Sequence, residues 1–338
     1  MNAIPHISLK SFGIALLFAG ALGAQGGELK TAEDLVSTLQ SKIEKEFDIP
    51  TSLSCDILTA EQRDGRVILF KSGADWNNPN SIVWSWDPKE ALPKDKAGWF
   101  SLLDECKPNG DCSEVMVSAS GGGVARIRVS DKKLIFFGMA GGNPHSIALL
   151  PDGNVATASS TGSFVALFAV PESNETEGAT GPTPVYQKYT LADAHGVVWD
   201  AKRKILWALG GMEIVGFEYA GTKEAPELKE IHRARLEGAA LGGHDFYPAP
   251  GFDALMVTGI GISVFDPVTR KLHSVSPMRS VKSLSLSPEG LPLMQRAVEK
   301  WWSDTLVYGD DKNTGAGTYS GAHFYKARWF VPNEFSQE

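Results

Sequence analysis

Cysteine is scarce: the chain has three in 338 residues, and none falls in a Cys-x-x-Cys pair. That excludes the usual cysteine zinc site. Basic residues are outnumbered, with 32 Lys and Arg against 40 Asp and Glu, a formal net charge of −8. Nucleic acid is therefore not an expected partner, because phosphate backbones are bound through a basic footprint. Tight capture of polyanions is disfavoured as well, except through a local basic pocket. Long apolar runs are also missing. The longest, Phe12 to Leu22, is about half of the ~20 residues a spanning helix needs. With Lys10 before it and Ala21-Leu22-Gly23 or Leu22-Gly23-Ala24 as cleavage sequences, residues 1–24 read as a signal peptide. The expected location is secreted or periplasmic, with no membrane attachment after cleavage. Neither a Gly-x-Ser-x-Gly elbow nor a His-Glu-x-x-His helix occurs. Gly121-Gly122-Gly123 has no P-loop lysine after it, so it reads as a close-packed hairpin or a rim opened for a ligand.

What the chain has is glycine (35), tryptophan (9) and short β-rich segments separated by turn signals. Residues 31–48 are the exception. Leu35, Leu39, Ile43 and Phe47 fall on one helical face, and Thr31 with Asp34 resembles an N-terminal cap. From residue 53 onward, strand-sized runs recur every 8–12 residues. Groups beginning at His145, His195 and His244 superimpose strand by strand, 50 and 49 residues apart. That period matches one four-stranded propeller blade. The expected fold is all-β: a single β-propeller, six blades by this count, with five or seven as alternatives. The division is 1–24 signal peptide, 25–50 N-terminal helical segment, 51–332 propeller and 333–338 tail. The sixth blade is expected to end with Phe324 to Trp329. The innermost strand of the first is missing or disguised in Thr51 to Ser54. Polar insertions at 171–184 and 309–321 read as surface loops.

Cys106 and Cys112 flank Lys-Pro-Asn-Gly-Asp, and in an exported protein a disulfide stapling that hairpin is expected, leaving Cys55 over. Asn174-Glu175-Thr176 is a glycosylation sequon. Trp84, Trp86, Trp199, Trp207 and Trp329 are expected in the core, while Trp301 and Trp302 are balanced between core and sugar platform.

The three histidines stand where each chain segment enters an innermost strand, at one rim of the central channel. Lys282 holds the matching place one group later. His145, His195, His244 and Lys282 are thus the candidate catalytic residues. Two chemistries suit them. Three imidazoles bind one divalent metal ion, or a metal-free histidine moves protons while Lys282 neutralises a substrate anion. Asn143, Asp245 and Gln62 are candidate substrate-binding residues. Asp245 or Asp193 could orient an imidazole, although a turn role suits Asp193 better.

Several strings together resemble one uncharacterised family of secreted β-propellers (a domain of unknown function) from bacteria and fungi. They include Trp84-Ser85-Trp86, Gly142-Asn143-Pro144-His145-Ser146, Asp193-Ala194-His195-Gly196, Gly242-Gly243-His244-Asp245, Val281-Lys282-Ser283 and Tyr325-Lys326-Ala327-Arg328-Trp329. The resemblance spans roughly residues 55–330 and implies the propeller fold without an activity. A looser likeness, of architecture, is to propeller polysaccharide lyases, some of which hold a metal with histidines and others of which use histidine as acid or base. Such likeness does not fix activity. The leading expectation is an enzyme, lyase-like or a metal-assisted hydrolase, acting on an acidic glycan. The alternatives are a non-catalytic binder of an oligosaccharide or small molecule, and a WD40-like protein-interaction scaffold.

Overall fold

The computed structural model describes residues 28–43, 53–297, 300–309 and 315–337. The proposed signal peptide lies outside the described residues, as do 44–48 of the expected helix. No helix among the described residues is long and apolar enough to cross a membrane.

Six four-stranded antiparallel sheets form the six blades of a propeller. Blades 2 to 6 each use four consecutive strands. Their innermost strands are Leu103–Pro108, Pro144–Leu149, Gly196–Asp200, Asp245–Pro248 and Val281–Leu286. Blade 1 is built from both ends of the fold. Ile57–Glu61, Arg66–Phe70 and Ile82–Trp86 form its outer three strands, and Phe324–Trp329 is its innermost. The expected ending of the sixth blade is therefore corrected: its outermost strand is Gly315–Thr318, and the following strand closes the ring. The register Ile57↔Trp329, Leu58↔Arg328 and Thr59↔Ala327 zips this closure. It leaves no open sheet edge between the first and last blades.

Packing explains the fold. Each of six hydrophobic clusters fills one gap between neighbouring blades. Trp84 and Trp86 fill the gap between blades 1 and 2, Trp199 that between 3 and 4, Trp207 that between 4 and 5, and Trp329 that between 6 and 1. These are the five tryptophans expected inside. Burying one large apolar side chain contributes about 1.5–3 kcal/mol, so the tryptophans are major contributors to ring closure. The helix Ala32–Ile43 seals the gap between blades 5 and 6 with Leu35, Leu39 and Ile43. Thr31 and Asp34 cap it reciprocally, backbone N–H to side chain in each direction.

Three further expectations change. Cys106 and Cys112 are free thiols. Cys106 pairs across the hairpin with Val117, and its sulfur points toward Lys326 O in blade 1, whereas Cys112 sits in the turn with φ 63°. The ladder register thus separates the two sulfurs. Residues 171–184 are not a plain loop. Ser173–Glu177 is a short helix whose Glu175 pairs with Arg126, itself bound to Glu114. The segment 333–337 is no loose tail either, since Phe335 is buried between blades 4 and 5.

The inner strands carry the site, so their free edges matter. A backbone N–H buried away from water needs an acceptor. Here side chains from the neighbouring blade supply it. Ser146 Oγ accepts from Val197 N, Ser283 Oγ from Ala327 N, Ser285 Oγ from Trp329 N and Asp245 Oδ2 from Leu284 N.

Candidate functional site

One local device repeats at the entrance to the inner strands. Leu102, Asn143, Asp193, Gly242 and Ser280 all have left-handed backbone, with φ between 52° and 67°. That conformation is costly for a side chain other than glycine, less so for Asn and Asp. It turns the chain sharply so that the second residue onward enters the strand at the channel rim. Those second residues are Asp104, His145, His195, His244 and Lys282. Tyr325 completes the ring from the closing strand of blade 1. Each blade therefore gives the rim one polar side chain.

The three histidines do meet. The His145 and His195 rings stack at 4.6 Å between centroids with 14° between planes. His244 lies 5.0 Å from His195 and 6.0 Å from His145. Tyr325 packs against His145 and His244 at 5.6 and 5.8 Å. His145, Asp104 and Tyr325 are buried, whereas His195, His244 and Lys282 are half-buried and form the open side.

Hydrogen bonds fix the protons. His195 Nδ1 lies 2.9 Å from the Asp193 carbonyl oxygen and 3.3 Å from Asp193 Oδ1. A carbonyl only accepts, so Nδ1 carries the proton and Nε2 presents its lone pair. Nε2 of His195 has no hydrogen-bond partner among the described residues. In His244 the other ring nitrogen is the engaged one. Its Nε2 accepts from Tyr325 Oη at 2.9 Å and lies 3.3 Å from Lys282 Nζ. His145 Nε2 accepts from Asn143 Nδ2 at 3.0 Å, and its Nδ1 faces Asp104 Oδ2 at 3.8 Å.

All three imidazoles resist protonation. Burial is the first cause for each. Neighbouring positive charge adds to it: His195, Lys326 and Lys282 around His145, and Lys282 first around His244. For His195 the lowering is partly offset by Asp193. Burial also pushes the Asp104 carboxyl and the Tyr325 phenol well up, and it lowers the Lys282 ammonium. At neutral pH the cluster is a set of neutral bases beside one cation. Three of its buried polar atoms have no partner: His145 Nδ1, His244 Nδ1 and Asn143 Oδ1. Buried polar atoms in folded proteins are nearly always paired, so unpaired ones need a reason.

The remaining expected residues divide. Asn143 joins the site through His145 and Ser160. Gln62 does not face the opening. Its Nε2 donates to Leu103 O and Asp104 Oδ1 and its Oε1 accepts from Trp301 Nε1, so it buttresses Asp104. Asp245 points away from the imidazoles. It accepts from Arg328 at 2.6 and 2.7 Å and pairs with Lys326 at 3.0 Å. Asp193, read from the sequence as a turn residue, is both turn and histidine partner. Asp104 and Tyr325 were missed because neither is a histidine. The signal for Tyr325 lay in the Tyr-Lys-Ala-Arg-Trp string, and that for Asp104 in its position two residues after Leu102. Trp301 stands 41% exposed beside this rim, while Trp302 stacks on His323 at 3.7 Å.

The family DUF6528, described as a family of unknown function, matches residues 21–338. The chain belongs to that family. No curated protein matches it. Among solved structures it is similar to a Bacteroides uniformis protein provisionally designated a 6-phosphogluconolactonase, at 13% identity and TM-score 0.49, over 80% of this chain and 83% of that one. A Bacteroides caccae protein of unknown function gives 12% and 0.48, over 82% and 99%. The dihydro-heme d1 dehydrogenase NirN gives 15% and 0.42, over 83% of this chain and 57% of its own. Likenesses at this level say nothing about chemistry.

Proposed function

We propose that this DUF6528 member is an exported enzyme that moves protons on a small carboxylate-bearing substrate at the histidine-lined mouth, with uronate-containing oligosaccharides as the class tested first. The observation that carries the reading is His195. Its Nδ1 is held by Asp193 and its Nε2 is bare, and the neighbouring His244 ring, 5.0 Å away between centroids, itself touches Lys282 and Tyr325. A general base needs that tautomer, a neutral resting state and an oriented ring.

The chemistry is a β-elimination. The Lys282 ammonium pairs with the substrate carboxylate and makes the adjacent C–H more acidic. His195 Nε2 takes that proton, the C–H electron pair becomes the new C=C bond, and the β C–O bond breaks. The Tyr325 hydroxyl gives a proton to the leaving oxygen. Afterwards the His195 imidazolium loses its proton to solvent and the phenolate regains one. Exposed Trp301, its indole N–H anchored on Gln62, offers an aromatic face to a sugar ring.

The geometry supports this metal-free route over a three-histidine ion. Imidazole lone pairs lie in the ring plane, so stacked rings direct them side by side. His244 Nε2 and His145 Nε2 are engaged by Tyr325 and Asn143, and the Lys282 ammonium repels a cation. Elemental analysis of purified protein checks the point, and a stoichiometric metal would reverse it. Incubation with uronate oligosaccharides, followed by the ultraviolet absorbance of unsaturated product, tests the function. Product from the parent protein and none from Tyr325→Phe or His195→Ala is expected. A non-catalytic binder is the second reading, favoured by the burial of His145 and Tyr325. It wins if the oligosaccharide binds in a Lys282-dependent way and no product forms.

A further inference from the structure

The channel has a second mouth, and it is built differently. The chain following Phe324–Trp329 crosses it. Asn333 N–H donates to Gly110 O in blade 2, Ala201 N–H donates to Phe335 O, and Ser336 Oγ donates to Trp199 O, both in blade 4. Beside this strap lies a cavity of about 190 Å³. Its walls include Met116, Leu150, Val198 and Tyr247, all buried, with Lys107 among them. A cavity near 150 Å³ with apolar walls already takes up a benzene-sized molecule.

Lys107 is the unusual member. It sits on the inner strand of blade 2, only 4% exposed, and Nζ donates to Ser146 Oγ at 3.1 Å and Val197 O at 3.0 Å. An ammonium has three N–H groups, so one remains. Lys107 forms no salt bridge among the described residues. The nearby carboxylates, Glu105 and Asp245, are both spent on Lys326 and Arg328. Two cations and two anions cancel there, and Lys107 is a fifth buried charge with nothing to balance it. Buried charges are ordinarily paired because desolvation is costly. Burial holds this amine down to about 8.

We propose that this mouth is a second ligand site, for a small organic monocarboxylate with a compact apolar body, whose carboxylate pairs with Lys107 while the body fills the cavity against Met116, Leu150, Val198 and Tyr247. The ion layer of Glu105, Asp245, Lys326 and Arg328 separates it from the histidine mouth. The two sites therefore have different ligands and independent occupancy.

The probe is benzoate, with benzyl alcohol as the uncharged control, titrated calorimetrically into the full chain at pH 8.5 in two buffers of different ionisation enthalpy. Benzoate is expected to bind, benzyl alcohol at least tenfold more weakly. Because part of the Lys107 amine is uncharged at that pH, benzoate binding takes up protons, and the apparent heat differs between buffers. Lys107→Met should weaken benzoate at least tenfold and abolish the proton uptake. Leu149→Trp, which fills the cavity edge and leaves Lys107 in place, should also weaken it, so the test does not depend on one variant folding. His195→Ala should leave it unchanged. Absence of benzoate binding, binding that survives both cavity variants, or binding lost in His195→Ala would each overturn the proposal. Failure of the uronate assay would not touch it.

Discussion

Two layers of the channel, one residue apart along the same strands, behave in opposite ways. The rim layer holds Asp104, His145, His244 and Tyr325. The next residues along, Glu105, Ser146, Asp245 and Lys326, point into a deeper layer together with Arg328. In the deeper layer the charges balance. Arg328 reaches Glu105 at 2.9 and 3.0 Å and Asp245 at 2.6 and 2.7 Å, and Lys326 bridges Asp245 and the His145 carbonyl. In the rim layer the imidazoles stack on one another, only His195 has a carboxylate as close as 3.3 Å, and three buried polar atoms are unpaired. A fully satisfied polar layer rigidifies a fold, whereas a partly satisfied one is costly unless it serves something else. The deeper layer therefore reads as the hub that fixes blade geometry, and the rim as the reactive surface it supports.

The contrast breaks most visibly at Arg328. Arg328→Met removes the cation that pairs both carboxylates and leaves Glu105 and Asp245 buried with Lys326 alone. Breaking a buried pair from one side costs roughly 3–5 kcal/mol, and denaturant unfolding should show a loss of that order. A loss below about 1 kcal/mol, the scale of an exposed pair, would mean the deeper layer is not the hub.

At the rim the expected outcome is inverted. His195→Ala deletes a half-buried ring and should shift unfolding by no more than about 1 kcal/mol, the usual size for a point change that creates no large cavity or stranded charge. Turnover on the uronate substrate should fall by about 10²–10⁴, the usual contribution of a positioned proton-transfer group. A variant destabilised as much as Arg328→Met would place His195 in the structural layer.

The difference between the layers also marks what the chain disclosed before folding. The histidines at 145, 195 and 244 were legible because blades repeat, and a spacing of 50 and 49 residues returns a residue to the same rim. The capping of the N-terminal helix and the inter-blade tryptophans were legible because they are local patterns. The ring closure was not. Nothing in the pattern of Phe324–Trp329 distinguishes the last strand of blade 6 from the first strand of blade 1, and the choice is made by long-range pairing with Ile57–Glu61. Asp245 was misassigned for a related reason. Alternation along a strand sends neighbours to opposite sides, so standing next to His244 placed it away from the imidazoles. The cysteine pair failed on register, six residues of separation in a hairpin whose ladder matches Cys106 with Val117.

A finer probe of the rim is Lys282. Its ammonium follows burial as a cause of the low proton affinity of His244. Lys282→Met should raise the His244 pKa toward the ordinary imidazole range, read by NMR titration of the ring protons. In the enzyme reading it should also raise KM for a uronate substrate more than it lowers kcat, since the lost contact is to the carboxylate. An unchanged His244 titration would mean that burial alone sets its proton affinity.

The smallest effect expected is on stability as pH falls. His145, His195 and His244 all bind protons less readily folded than unfolded. Stability rises with rising pH, and is lost as pH falls, wherever the unfolded chain holds more protons. The folded state is then unaffected above the unfolded imidazole value, near 6.5, and loses stability as pH drops below it. Asp104 has the opposite sign. Its carboxyl is pushed up, so the folded chain gains stability relative to the unfolded one as pH falls through the folded value, and this offsets part of the histidine loss. Replacing the half-buried His244 by Gln removes one titrating ring and should flatten the unfolding midpoint between pH 6.5 and 5, while Asp104→Asn should steepen it. If both variants track the parent protein across that interval, the rim is not where acid acts, and the low proton affinity assigned to its imidazoles is wrong.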